Sequence, residues 1–260
     1  MKMADNPQPS DSVIKVHQLR KEFGVLKAVD GISFELKRGE FLSVFGPNGA
    51  GKTTLIKILA GLTRASSGTA FVAGYEVGEG RAEMRSEIGV ISHSTALYGD
   101  LTPLENLIFL GKMYGLENPK DSALAVPEDV GLAPRRHDRV RTFSRGMLQR
   151  LSIARAILHD PSILFLDEPF TGLDIHASNV LKEHLQTLHN KKRTILMTTH
   201  DVSCGLEMCD KVALQVMGRF AFFEDVKTVE KENFEALYFD AVRNNQFTMG
   251  IRQHDTRLKT

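Results

Sequence analysis

Residues 41–62 contain the pattern that most constrains how this chain can fold. An apolar run at their start predicts a buried strand, and the leucines and isoleucines at their end fall on one face of a predicted helix. Between them lies Gly46-x-x-x-x-Gly51-Lys52-Thr53, the full pattern of a phosphate-binding loop. A glycine turn that precedes a helix by chance is the alternative, but strand, loop and helix are all in register. The sequence therefore predicts a site for a nucleoside triphosphate.

The residue types of this loop each have a chemical reason to be there. Glycines let successive backbone N–H groups curl around a phosphate, and the following helix directs its positive end at the same anion. Lys52 supplies a mobile charge for the β- and γ-phosphates, and the Thr53 hydroxyl can ligate Mg²⁺. The predicted nucleotide-binding residues here are Gly46, Pro47, Asn48, Gly49, Ala50, Gly51, Lys52, Thr53 and Thr54.

Composition narrows the class of protein. The chain has 260 residues, is 42% hydrophobic and carries a net charge of +1, so no strong field recruits nucleic acid or an acidic membrane surface. Its two cysteines match no common zinc or redox spacing, which indicates free thiols in a reducing compartment. No apolar run reaches the roughly 18 residues of a membrane span. We expect a cytoplasmic protein that acts at a membrane only through a partner.

The first third of the chain, outside the loop, predicts a small antiparallel layer. Apolar and polar residues alternate over 32–36, as in a strand with one solvated face, and runs at 13–16 and 69–74 predict further strands. Residues 1–12 are polar and predicted to be disordered. Phe23 lies on a turn, where the pattern equally permits a core position and stacking on a nucleotide base.

Residues 94–160 predict an inserted helical subdomain. Thr102, Pro103 and Glu105 have the order of an N-cap, a first-turn proline and the carboxylate of a capping box. The last helix of the insert is capped by Ser144. It is either an ordinary capped helix or a second anion site, with the Ser144 hydroxyl and the Gly146 N–H free for a phosphate. The predicted breaks between helices are at Pro119, Pro127 and Pro134.

A buried strand over 162–166 is predicted to end in two adjacent acids, Asp167 and Glu168. Neighbouring residues on a strand point in opposite directions, so the two carboxylates have different roles. Asp167, at the strand end near the phosphate loop, suits Mg²⁺, and Glu168 is left to polarise an attacking water.

A second buried strand, over 194–199, is predicted to end at His200, on the side of an open sheet where ligands bind. The histidines at 176, 184 and 189 have no metal-ligand spacing and are predicted to lie on the surface. Farther on, apolar runs on both sides of 217–219 predict a hairpin.

These separated motifs together resemble the ATP-binding cassette (ABC) family, the motor subunits of ABC transporters, over residues 13–223. They occur in the order that the family has. In the family's terms, residues 46–53 match Walker A, 143–147 the signature motif, 163–167 with Glu168 Walker B and its catalytic glutamate, 172–174 the D-loop, and His200 the switch histidine.

The resemblance implies ATP and Mg²⁺ as ligands, Glu168 and His200 as catalytic residues, and Phe23 as the aromatic that stacks on adenine. It also implies a head-to-tail dimer with a second ATP-binding subunit, identical or different, and a separate membrane-spanning permease. The chain itself would be cytoplasmic and peripheral on the inner face of the cell membrane. Across that dimer, the signature residues Ser144, Arg145, Gly146 and Met147 would meet the ATP bound by the other copy, and Asp174 is the D-loop residue.

Two departures from the family pattern stand out. Arg145 replaces the usual glycine of the signature and Met147 its glutamine, while Ser144 and Gly146 remain for phosphate contact. At the Q-loop position His93 replaces glutamine, which puts its role in doubt. These features resemble a subgroup of haem exporters of cytochrome c maturation.

Other function classes fit less well. A nucleoside kinase has no use for the signature helix, and a GTPase needs a guanine-reading Asn-Lys-x-Asp that is missing. A soluble ABC ATPase of DNA repair or translation is the main alternative, although such proteins usually carry a coiled-coil insertion or a second cassette. The predicted fold is α/β, a RecA-like P-loop NTPase core (13–93 and 161–224) with an antiparallel β subdomain, an inserted α-helical subdomain (94–160) and a C-terminal extension (225–260).

Overall fold

The computed structural model describes residues 11–78, 82–92, 96–190 and 192–243. They form two β-sheets with helices packed around them, which confirms the predicted α/β architecture. The strands are β1 (Ser12–Phe23), β2 (Leu26–Lys37), β3 (Phe41–Phe45), β4 (Ser67–Val72), β5 (Tyr75–Glu76), β6 (Ile88–Ile91), β7 (Ile163–Asp167), β8 (Thr194–Thr199), β9 (Lys211–Val216) and β10 (Arg219–Asp225). The helices are α1 (Lys52–Leu59), α2 (Ala82–Ser86), α3 (Pro103–Met113), α4 (Pro119–Asp129), α5 (Arg145–Ile157), α6 (Ile175–Asn190) and α7 (Val202–Met208).

The core sheet has six strands in the order β10-β9-β3-β8-β7-β6. Its neighbouring strands are parallel except for β9 and β10, which form the predicted hairpin at one edge. Every residue of β3, β7 and β8 is buried, as in parallel strands covered on both faces. The carboxyl ends of these three adjacent strands meet at one edge of the sheet, where ligands bind in open α/β folds.

Helix α1 lies between the core sheet and a four-stranded antiparallel sheet of order β2-β1-β4-β5. Its Leu55 and Leu59 belong to a buried cluster that includes Ile14 of β1 and Phe165 of β7. Burial on both sides fixes the start of α1 and therefore the phosphate loop. Strand β1 extends well past the predicted 13–16, because an irregularity at Gln18, where φ is 46°, interrupts the apolar alternation.

Asp30 ties the antiparallel sheet to the core sheet. Its carboxylate pairs with Arg20 of β1 and accepts hydrogen bonds from Nε and Nη2 of Arg219 of β10, at 2.9 and 2.6 Å. Hydrogen bonding to Arg219 is the main reason that the pKa of Asp30 lies below its usual value. The carboxylate therefore stays ionised in a position that is only 7% exposed.

The chain between β6 and β7 is mainly helical. The predicted capping box at the start of α3 is confirmed: the Thr102 hydroxyl accepts from the Glu105 N–H, and the Glu105 carboxylate accepts from the Thr102 N–H. One predicted break is wrong, because α4 continues through position 127 and ends at Asp129. A proline there removes one backbone N–H donor but does not end the helix, which continues for two more residues.

A further helix over 231–243 packs against the core sheet. Its Phe234 is buried, with ring centroids 5.0 Å from Phe45 of β3 and 5.8 Å from Phe222 of β10. Part of the predicted C-terminal extension thus belongs to the core. No helix within the described ranges is long and apolar enough to span a membrane.

The prediction that His189 lies on the surface is wrong: its side chain is half-buried and has partners in other parts of the chain. Its Nε2 lies 2.9 Å from the carbonyl oxygen of Gly39 and 3.2 Å from Oδ2 of Asp210, and its ring meets Phe41 edge-on. The histidine thus joins the end of α6 to the turn before β3 and to the residue that precedes β9. Its partners are distant in sequence, so spacing alone could not reveal them.

Candidate nucleotide-binding site

The phosphate loop folds into a shape that only glycine permits at its tightest point. Gly51, the last residue before α1, has a φ of 102°, and a Cβ there would overlap the carbonyl oxygen of Ala28 and lie 2.9 Å from Nε2 of Gln215. A side chain at this position would push the loop away from β2 and β9. The loop is therefore held tightly against both sheets, with α1 starting directly behind it.

The Lys52 side chain turns back over the loop. Its Nζ lies 2.6 Å from the carbonyl oxygen of Gly46, 3.3 Å from that of Pro47, and 3.3 Å from Oε1 of Glu168. The side chain is only 6% exposed. A buried ammonium held by a carboxylate at the mouth of the loop is placed to interact with a phosphate bound there.

Asp167 ends β7 beside the start of α1. Its Oδ1 accepts hydrogen bonds from the hydroxyls of Thr53, at 3.0 Å, and Thr198, at 2.8 Å. A carboxylate and a hydroxyl facing each other are hard oxygen ligands, and Mg²⁺ is usually held by one or two such groups with water and phosphate oxygens. The residues present therefore fit Mg²⁺, and Thr53 and Asp167 are the ones that would hold it.

Glu168 leaves the strand in a different direction from Asp167, as the sequence predicted. Its φ is 52°, a left-handed conformation that is uncommon outside glycine, and its N–H donates to the carbonyl of Thr198 at 3.1 Å. The turned backbone brings the carboxylate between Lys52 and His200, whose Nδ1 lies 2.6 Å from Oε2. Strained backbone of this kind is typical of functional sites.

One cavity of about 540 Å³ joins these groups. Phe23 lies at its margin and is 51% exposed, with Nζ of Lys21 4.9 Å from the ring centroid. An exposed aromatic beside a phosphate loop is placed to stack on a base. The cavity is lined by Phe23, Leu26, Ala28, Asn48, Gly49, Ala50, Gly51, Lys52, Thr53, Thr54, Glu168, Thr171 and His200.

The predicted signature residues are not among those that line the cavity. Ser144 caps α5, with its hydroxyl accepting from the Met147 N–H at 3.3 Å, and it remains exposed. Gly146 packs against α6, because a Cβ on it would lie 3.0 Å from Cβ of Ala177. Asp174 caps α6 by accepting from the Ala177 N–H at 2.8 Å. The predicted Q-loop residue His93 lies outside the described residues.

Sequence reasoning missed two residues of the site. Thr198 holds Asp167, and the signal for it was a threonine pair at the end of β8, directly before His200. Gln215 lies fully buried beneath the loop, and its side-chain amide has no hydrogen-bond partner within the described part of the chain. No local pattern marks Gln215, because its place depends on β9 pairing beside β3.

The cysteines take no part in this chemistry. Cys204 and Cys209 are free thiols, as predicted, and burial raises the pKa of each to about 11. Both thiols therefore stay protonated near neutral pH and are poor nucleophiles or metal ligands.

The phosphate loop follows the parallel strand β3, a histidine follows its neighbour β8, and an Asp-Glu pair lies at the end of β7, one strand farther on. This arrangement defines a P-loop nucleoside triphosphatase. The helical insertion between β6 and β7 and the antiparallel sheet of this chain agree with the resemblance to the ABC family. The chain belongs to the ABC transporter family: the family model described as "ABC transporter" matches residues 29–171.

Curated relatives agree with this assignment. The linearmycin resistance ATP-binding protein LnrL of Bacillus subtilis (strain 168) is 39% identical over 204 residues, 78% of this chain and 66% of that protein. The ABC transporter ATP-binding protein NatA of the same organism is 36% identical over 219 residues, 83% of this chain and 89% of that protein. The Nod factor export ATP-binding protein I of Burkholderia lata is 38% identical over 208 residues, 79% and 68% of the two chains.

Solved structures agree as well. The ATP-binding subunit of an ABC transporter superposes with a TM-score of 0.79 at 28% identity, covering 88% of this chain and 99% of that one. A dimeric ATP-binding cassette bound to ADP and Pi has the same fold, with a TM-score of 0.75 at 24% identity over 83% of this chain and all of that one. The predicted family and fold are therefore confirmed, and this chain is an ATP-binding subunit and an ATPase of the ABC family.

Proposed function

We propose that this chain hydrolyses Mg-ATP at the cavity between the phosphate loop and Glu168, and uses it to drive transport through a separate membrane subunit. The observation that carries the proposal is the meeting of Lys52, Glu168 and His200 at one point, with Oε1 of Glu168 3.3 Å from Lys52 and Oε2 2.6 Å from His200. A cation for the γ-phosphate and a carboxylate for the attacking water are thus adjacent.

In the proposed reaction, the loop N–H groups and Lys52 hold the triphosphate, and Phe23 stacks on the base. Thr53 and Asp167 would hold Mg²⁺, which would offset the negative charge of the triphosphate. A water oxygen attacks the γ-phosphorus while its proton passes to the Glu168 carboxylate. The bond from that phosphorus to the β–γ bridging oxygen breaks, and its electron pair leaves with ADP, giving ADP and inorganic phosphate.

His200 orients the base in this scheme. The Lys52 ammonium attracts Oε1 of Glu168. A hydrogen bond from Nδ1 of His200 holds the other carboxylate oxygen, Oε2, toward the cavity. The His200 side chain is exposed, so a second subunit that docks beside it could alter its hydrogen bond to Glu168.

We propose that two copies of the chain pair head to tail around ATP. Ser144 is exposed and does not line the cavity that contains Lys52, so within one copy its hydroxyl does not reach a γ-phosphate bound there. A two-fold arrangement lets each copy offer Ser144, Gly146 and Asp174 to the other. The Q-loop role of His93 remains part of this proposal.

The membrane partner would dock on the helical subdomain. An apolar surface there includes Tyr98, Phe109, Met113 and Tyr114, each between 42% and 69% exposed. Tyr98 and Phe109 are in contact, with ring centroids 5.5 Å apart, and exposed aromatic and methionine side chains are enriched at protein interfaces. This chain would then be cytoplasmic and peripheral, held at the inner face of the membrane by its permease.

Two kinds of cargo follow from different observations. The names of two relatives concern linearmycin resistance and Nod factor export, which favours the export of a compound of one of those kinds. The residues at 144–147 and 170–174 resemble those of haem exporters, which favours haem. Loss of c-type cytochromes in a disruptant would support haem as cargo, and normal cytochrome levels would retire it while leaving the transporter proposal intact.

The test of the proposal combines hydrolysis with partner capture. We expect Lys52→Ala to lose nearly all Mg-dependent ATP hydrolysis, and Lys57→Ala, an exposed lysine of the same helix, to keep it. We also expect the native protein in detergent-solubilised membranes to crosslink to a membrane-spanning subunit through residues 97–114. Undiminished hydrolysis by Lys52→Ala would contradict the site. A protein that fractionates as soluble and captures no membrane protein would instead favour the soluble ABC ATPase class.

A further inference from the structure

Gln215 is a polar residue in a stretch of β9 that otherwise buries apolar side chains, at 212–214. Its side chain is fully buried too, and within the described part of the chain neither Oε1 nor Nε2 has a hydrogen-bond partner. Ser43, on the adjacent strand β3, shows the usual arrangement, because its equally buried hydroxyl donates to the carbonyl oxygen of Gly205 at 2.9 Å. Buried polar groups are nearly always paired in this way, since an unpaired one costs free energy. The unpaired amide of Gln215 therefore needs an explanation.

The position of Gln215 connects it with the phosphate loop. The pairing of β3 with β9 ends at Phe45 and Leu214, so Gln215 lies level with Gly46, the first residue of the loop. A Cβ on Gly46 would lie 2.2 Å from the Gln215 carbonyl oxygen, and a Cβ on Gly51 would lie 2.9 Å from Nε2. Gln215 is not among the residues that line the cavity, so its amide lies behind the loop. Its main chain and its amide thus support the loop at both ends.

The loop has backbone groups whose partners change when a triphosphate binds. Nζ of Lys52 lies 2.6 Å from the carbonyl oxygen of Gly46 and 3.3 Å from that of Pro47. Charged phosphate oxygens compete for the same ammonium, which weakens its hold on both carbonyls. Gly49 and Gly51, with φ values of 79° and 102°, let the backbone of the loop adjust at little steric cost. An amide that carries both donors and an acceptor can then pair with a backbone group that this movement brings within reach.

We propose that Gln215 is a positioning residue for ATP, and that its buried amide forms hydrogen bonds with the backbone of the phosphate loop when the loop closes on the triphosphate. The inference deepens the proposed function and rests on it, since ATP is the ligand on which the loop would close. Gln215 acts through residues 46–51 and touches no phosphate. A ligand binds more tightly where the bound form of the protein relieves a cost that the other form carries. The unpaired amide is such a cost, so its pairing in the closed loop adds to the affinity for ATP.

Replacing the amide by an apolar side chain of similar size separates this role from a structural one. Gln215→Leu and Gln215→Met both remove the unpaired group and still fill the site, so we expect each variant to unfold, without nucleotide, at a urea concentration no lower than the wild type does. Both variants also lose the hydrogen bonds of the closed loop, so we expect their affinity for ATP to fall about 10-fold. A glutamine that only stabilised the fold would behave differently, because its loss would lower the urea midpoint.

The first measurement is isothermal titration calorimetry with a non-hydrolysable ATP analogue and Mg²⁺, beside urea unfolding of the same preparations without nucleotide. The second is steady-state hydrolysis, in which KM for ATP should rise about 10-fold while kcat stays within about threefold of the wild type. This split is expected because the closed loop holds the substrate and the transition state equally well. The matched control is Gln186→Leu, the same substitution at an exposed position of α6, which should leave KM and the affinity for the analogue unchanged.

Two results would overturn the inference. One is wild-type affinity for the analogue in both Gln215 variants. The other is weaker binding together with a lower urea midpoint, which would show that the glutamine stabilises the fold as a whole. Either result leaves the proposed function standing, as long as the wild type binds and hydrolyses ATP. A wild type that binds no nucleotide would be a failure of the proposed function itself, and the inference would fall with it.

Discussion

Nδ1 of His200 lies 2.6 Å from Oε2 of Glu168, and the two residues follow the ends of adjacent parallel strands. This contact directs the carboxylate that we propose as the base. His200→Ala should therefore leave ATP binding intact and lower kcat roughly 10²-fold, as expected for a mispositioned base. The check is steady-state hydrolysis beside His176→Ala, an exposed histidine of α6 that should have no effect. Equal kcat values for the two variants would show that Glu168 needs no orienting partner.

Thr198 should control the affinity for Mg²⁺. Its hydroxyl donates to Oδ1 of Asp167 at 2.8 Å, and Thr198→Val removes that donor with little change in shape. Groups that hold a metal ligand in place typically contribute about 10- to 100-fold in metal affinity. We expect half-saturation of ATP hydrolysis to need that much more Mg²⁺. Thr187→Val, on the exposed face of α6, should titrate like the wild type, and a normal Mg²⁺ requirement for Thr198→Val would contradict the assignment.

Asp30 should make stability depend on acid pH. Hydrogen bonding to Arg219 lowers its pKa in the folded state, so the folded protein binds a proton here less readily than the unfolded chain. The stabilisation is therefore present above the unfolded pKa of about 4 and is lost as the pH falls through the lower folded value. Asp30→Asn should unfold at lower urea concentration than the wild type at pH 7.

The difference between Asp30→Asn and the wild type should shrink progressively as urea unfolding is repeated below about pH 4, because the unfolded chain binds a proton there while the folded carboxylate does so only at still lower pH. Asp100→Asn is the control, because it breaks an exposed pair with Arg141 that contributes little. A difference that stays constant with pH would mean that the Asp30 charge does not join the two sheets.

The positions of the phosphate loop, of the acid pair and of the histidine that follows β8 could be predicted from the sequence. Each is a local pattern in which a short buried strand ends at the residue that carries the chemistry. The same local logic identified the capping box at Thr102. Contacts between segments far apart in the chain could not be predicted from such local patterns, as for Thr198 with Asp167 and Gln215 with Gly51.

The packing of the helix over 231–243 could not be predicted from the sequence either. Phe234 belongs to a polar-looking segment, and its burial depends on Phe45 and Phe222, which lie far away in sequence. His189 was misjudged for the same reason, because its partners Gly39 and Asp210 come from other parts of the chain. Tertiary contacts of this kind follow from the strand order, which no short pattern determines.

The most direct test of the account is the mass of Glu168→Gln in solution, measured by light scattering. This substitution keeps the shape of the site but weakens the base, so ATP should remain bound between two copies. We predict a dimer with ATP, a 28.9 kDa monomer with ADP, and a monomer with ATP once Ser144→Arg is added, because its bulk meets the other copy's phosphate. A monomer under all three conditions would contradict the paired mechanism.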